Sequence, residues 1–143
     1  METKKVNFND PEFQIQVTVE MIRYNLTSLW HNRSVICGVK NPLKQRKQLE
    51  LAFQMCKNHT FEDTQGMIDF LKKHSRHKYG SVGVQAASFQ QDLDLVKSLI
   101  LDLENNYLEF KNKIINLWKE MGENRGLTYE QFCDYLQSLE EEA

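Results

Sequence analysis

The sequence has little of what builds anything other than a compact helical chain. Two prolines and six glycines in 143 residues are too few for a collagen-like or low-complexity chain. Three cysteines (Cys37, Cys56, Cys133), odd in number and widely spaced, do not form a disulfide framework and read as free thiols of a reducing compartment. The formal net charge of −2 names no partner. No apolar run approaches the 18 or so residues of a membrane span, and no apolar segment follows Met1-Glu2-Thr3-Lys4-Lys5 as a secretion signal would. The expectation is a soluble, cytoplasmic protein. A nucleophile elbow, a P-loop, a GxGxxG turn and the HExxH zinc motif are all missing, so the pattern favours a protein without enzymatic activity.

What is present is ordinary globular material: 41% hydrophobic, 27% charged, 10% aromatic. A chain of this length buries roughly two thirds of its unfolded surface and needs no staple to fold. The pattern predicts one all-α domain over residues 1–143, a bundle of about five helices behind a flexible stretch at 1–10.

Asp10-Pro11-Glu12 opens the first helix, expected over about 11–31, with a capping side chain, Pro at the first helical position and an acid in the first turn. The stretch is ambiguous: Phe13, Ile15, Val17, Val19 and Met21 alternate as in a strand, while Phe13, Val17, Met21 and Tyr24 keep helical spacing. Asn41-Pro42 opens a second helix, about 42–57, with Leu49, Ala52, Phe53 and Cys56 on one face. Thr60 to Asp63 resembles a capping box for a third, running to about His74 and burying Met67, Phe70 and Leu71. Gly80 and Gly83 mark a loop.

The strongest signal follows. Phe89, Leu93, Val96, Ile100, Leu103, Tyr107, Phe110, Ile114, Leu117 and Met121 recur at alternating spacings of four and three, with no Gly or Pro between Val84 and Met121. This predicts one helix over about 85–121, about 55 Å long at 1.5 Å per residue. A second row (Leu101, Leu108, Ile115) broadens the stripe beyond a coiled-coil seam and points to bundle packing. A helix of that length outruns its short neighbours. Ile100, Leu103, Tyr107, Phe110, Ile114 and Trp118 are therefore candidates for contact with a second copy or a partner protein. Thr128 and Gln131 form a capping box for the last helix, with Leu127 positioned to staple onto Phe132.

Charge is unevenly distributed. Residues 40–78 carry nine Lys or Arg against four acids. Lys44, Lys47, Lys72, Lys73, Arg76 and Lys78 form a candidate basic patch for an acidic partner, with nucleic acid as the alternative. Cys56 with His59, and His74 with His77, have the three-residue spacing that lets a helix end clasp a metal, but the surrounding lysines oppose a cation. These four are weak metal candidates, and no cofactor is expected.

A segment of the chain also resembles a known family. Met67, Phe70 and His74, followed by Val82-Gly83-Val84 and Phe89, are similar to the proximal-histidine region of globins, with Gln45 and Leu49 at the distance of the distal pair. The resemblance covers about a third of the chain and implies a haem protein with His74 as axial ligand. The favoured expectation remains a helical interaction or regulatory protein, self-associating or binding a protein partner, with no membrane role.

Overall fold

A computed structural model describes residues 8–58, 60–75 and 80–142. Among them the chain is all-helical, without a strand. The helices are α1 (Pro11–Cys37), α2 (Arg46–Lys57), α3 (Thr60–His74), α4 (Gly80–Leu117) and α5 (Tyr129–Glu142). A π-helical turn (Trp118–Gly122) and a 3-10 turn (Glu123–Arg125) connect α4 to α5. The chain divides into two compact units, Met1–His31 with Cys56–Ser98 and Asn32–Met55 with Leu99–Ala143.

In the first unit α1 contributes Ile15, Val19, Ile22, Leu26 and Leu29 to the core, α3 contributes Phe61, Ile68 and Leu71, and α4 contributes Val82, Ala86, Phe89, Leu93 and Val96. Each such side chain stabilises by about 1.5–3 kcal/mol when fully removed from water, less for alanine. Met67 and Phe70, expected in this core, are only half-buried. The inward face of α3 is rotated from the expected one and includes Thr64, which is fully buried. Its hydroxyl donates to the Thr60 carbonyl and accepts from Asn25 Nδ2 at 3.2 Å, so burial leaves no polar atom unmet and α1 is tied to α3. Gln65 and Gln90 exchange amide hydrogen bonds of 2.7 and 2.8 Å between α3 and α4.

Gly80 and Gly83 do not lie in a loop; they belong to the first turn of α4. A Cβ on Gly83 would lie 3.1 Å from the Cβ of Ser75, so the glycine permits the close approach of α4 to the end of α3.

The second unit places Leu43, Ile114, Phe132 and Cys133 at one centre, with Phe110, Trp118, Leu127, Tyr129 and Leu136 packed around them. The α5 capping box is present as read: the Thr128 N–H donates to Gln131 Oε1 at 2.9 Å and the Gln131 N–H to Thr128 Oγ1 at 3.2 Å. Asn41 likewise accepts from the N–H groups of Leu43 and Lys44, although regular helix begins only at Arg46. The long helix starts five residues earlier than expected and gives way to the π turn at Trp118. There Trp118 Nε1 donates to the Leu127 carbonyl at 2.7 Å.

Candidate functional site

At about 100° per residue, the five α1 core residues from Ile15 to Leu29 fall within an arc of about 80°. Phe13, Val17, Met21 and Tyr24 fall within a second arc of similar width on the roughly opposite side. The helix itself is present, extended to Cys37. The face at the expected helical spacing, however, is the outer one: Val17 is 39% exposed, Met21 53% and Tyr24 76%. A helix with two opposed apolar arcs places successive odd residues on alternate sides, and this is what made the stretch read as a strand.

The outer arc borders an apolar groove of about 520 Å³ whose wall includes Phe13, Val17, Met21 and Tyr24, with Gln16, Glu20 and Asn25 at its rim. Phe8 prolongs the row, its ring edge-on to Phe13 at 5.6 Å. Its carbonyl is held by Gln14 Nε2 at 3.2 Å. Between Phe13 and Tyr24 the only ionic side chains are Glu20 and Arg23, which pair with each other at 2.7 Å. Other exposed large apolar side chains among the described residues include Leu51 with Met55 and Tyr135 with Leu139, each pair four residues apart in sequence.

The α4 row lies differently from its expected role. Ile100, Tyr107 and Ile114 are buried and Leu103, Phe110 and Trp118 half-buried, all in the second unit. The chain's own α2 and α5 serve as neighbours: Phe53 of α2 lies 6.0 Å from the Tyr107 ring, and α5 supplies Phe132 and Cys133 beside Ile114. Leu103, Tyr107 and Phe110 also line a smaller cleft of about 220 Å³ with Pro42, Leu49 and Phe53.

The basic candidates are divided between the units. Lys44 and Lys47 belong to the second and Lys72 and Lys73 to the first, while Arg76 and Lys78 lie outside the described residues. Lys47 pairs with Glu130 at 3.4 Å and Lys72 donates to Gln90 Oε1 at 2.8 Å. Of the metal candidates, His59 and His77 also lie outside the described residues, and Cys56 is fully buried. Among the described residues no group of three or more His, Cys, Asp or Glu is arranged to hold a metal. His74 ends α3, half-buried, with its ring 4.4 Å from that of Phe70. α4 runs unbroken from Gly80 to Leu117.

Three groups of the second unit, Tyr107, Tyr129 and Cys133, are shifted toward their neutral forms. Burial, reinforced by the Glu50 carboxylate, raises the ionisation of Tyr107 far above its ordinary 10.0. Burial does the same to Tyr129 and pushes the Cys133 thiol upward, keeping it protonated at neutral pH. Glu50 accepts from Tyr107 at 3.2 Å and from Lys111, a cross-link between α2 and α4. No helix among the described residues is long and apolar enough to cross a membrane. Comparison with protein families, curated proteins and solved structures found no match.

Proposed function

We propose that this chain is a non-enzymatic interaction protein whose working surface is the outer face of α1. One observation carries the proposal: a row of four apolar side chains, continued by Phe8, faces outward on a helix whose other side already supplies a complete core strip. A contiguous exposed apolar patch on a folded chain is a recurrent mark of a binding surface. The spacing of four, four and three is that of a helix presenting one face to another helix. Lys44 and Lys47 in the second unit, and Lys72 and Lys73 in the first, are the described side chains that would meet an acidic partner and steer its encounter.

The test separates docking from structure. Dilute native protein should bind the apolar dye anilinonaphthalene sulfonate. The double variant Met21→Ser, Tyr24→Ser should lose most of that fluorescence while keeping its far-ultraviolet dichroism and melting temperature. Unchanged dye binding, or a collapse in melting temperature, would show the row to be occupied by the chain itself.

A further inference from the structure

We infer that the cleft of about 220 Å³ in the second unit binds a small neutral aromatic compound, a single ring carrying one hydrogen-bonding group, as in a phenol. The inference is independent of the docking role proposed for α1, because every residue that lines the cleft belongs to the second unit.

Size sets the first limit. A cavity of about 150 Å³ lined by Leu, Ile and Phe accommodates benzene. Sites for drug-sized ligands begin at roughly 300 Å³. A volume of about 220 Å³ therefore suits one ring with a short substituent.

The wall sets the chemistry. The Phe53 and Tyr107 rings lie 6.0 Å apart and tilted by 32°, and Phe110 and Pro42 stand beside them. An added ring gains edge and face contacts there that an aliphatic chain does not. Asn106 is exposed on the wall, and its carboxamide can both donate to and accept from a hydroxyl. No lining side chain is acidic or basic, and burial beside Glu50 keeps Tyr107 a neutral phenol. A charged ligand would leave water without a partner for its charge.

Water is poorly held in such a place. A bound water needs roughly two to four polar partners. The lining side chains offer it the Asn106 carboxamide and a Tyr107 hydroxyl already donated to Glu50. The wall is also preformed. Asn41 Oδ1 accepts from the N–H groups of Leu43 and Lys44, and Arg46 donates to the Leu43 carbonyl at 2.6 Å, which fixes the turn carrying Pro42. Little ordering is then left for the ligand to impose.

The surroundings distinguish this cleft from a docking surface. None of the large exposed apolar side chains among the described residues lines it, whereas Val17, Met21 and Tyr24 line the groove on α1. A protein partner's aromatic side chain would find no apolar continuation around the mouth, so the occupant is a free small molecule.

Phenol is the probe, added at pH 7 while the methyl resonances of isotope-labelled protein are followed by nuclear magnetic resonance. Ile36, Val39, Leu49 and Leu103 should shift saturably with a dissociation constant of roughly 0.1–1 mM, while Val17 and Ile68 stay in place. No saturable shift at about tenfold higher concentration, or an equal shift at Val17, would overturn the site. Benzoate, the same ring with a negative charge, should bind at least about tenfold more weakly, and equal binding would overturn the neutral ligand. Asn106→Ala should weaken phenol about fivefold and leave toluene unchanged; equal losses for both would overturn Asn106 as the polar anchor. Leu103→Phe should fill the cleft and abolish binding with the melting temperature retained, and Val39→Phe, in the turn after α1, gives the same test should the first variant unfold. Binding that survives in a folded filling variant would overturn the cleft as its location. Tighter binding of N-acetylphenylalanine amide than of phenol would overturn the free small molecule in favour of a protein side chain.

Discussion

Gly122 shows how closely a single residue is specified. A Cβ there would lie 2.9 Å from Trp118 Cδ1 and 3.0 Å from Phe132 Cδ2, two rings fixed in the core of the second unit. Gly122→Ala should therefore cost about 1–3 kcal/mol, the range for overpacking a filled site, measured as a shifted urea midpoint with unchanged slope. Gly126 adopts φ 78°, the left-handed conformation that ends the 3-10 turn, and only its backbone argues for glycine because nothing lies near its missing Cβ. Tyr107 gives a pH prediction. Its ionisation is raised in the fold above the unfolded 10.0, so its contribution to stability is intact below pH 10 and is lost progressively as pH rises further. Denaturant unfolding at pH 8 and pH 11 should show a smaller alkaline loss for Tyr107→Phe than for the parent chain. An equal loss would remove Tyr107 from the alkaline transition. At this scale, caps were readable in the sequence because Asn41, Thr128 and Gln131 act on their immediate neighbours. Gly83 was not, because a glycine needed for close packing and a glycine needed for a turn look the same until the neighbour, Ser75, is known.

Among the elements, α1 is the most informative. Its existence and capped start were legible from Asp10-Pro11, but its inward face was not. Two apolar arcs of similar width give no internal sign of which one the rest of the chain covers, and the covering residues are distant in sequence: the contact of Asn25 with Thr64 spans 39 positions. The arcs should separate cleanly under mutation. Ile22→Ala, at a fully buried site, should cost about 2–5 kcal/mol by thermal or denaturant unfolding. Tyr24→Ser on the other side should change stability by no more than about 0.5 kcal/mol. Comparable losses at the two positions would mean that the outer arc also belongs to a core. In α4 the periodic row correctly announced a long helix, and its regularity also made it the natural candidate for assembly. Ile100, Tyr107 and Ile114 are buried, and the chain's own short helices cover two of them, α2 through Phe53 at Tyr107 and α5 through Phe132 and Cys133 at Ile114.

For the whole molecule, composition sufficed to give an all-helical chain, because few prolines and glycines and a dominant 3.6-residue period leave no other economical way to satisfy the backbone. What composition and periodicity could not give is which apolar surface remains outside once every helix has found its neighbours. That remainder depends on long-range contacts: on α1 it is the row Val17, Met21 and Tyr24, while α4 leaves Val84, Leu95, Leu108 and Leu117 exposed at wider intervals. Methionine oxidation reads this remainder directly. Met21, Met55 and Met121 are 53%, 54% and 53% exposed, so in dilute protein they should be oxidised by hydroxyl radicals at similar rates. If Met21 oxidises markedly more slowly than Met55 and Met121, the outer face of α1 is covered by the chain itself and is not a docking surface.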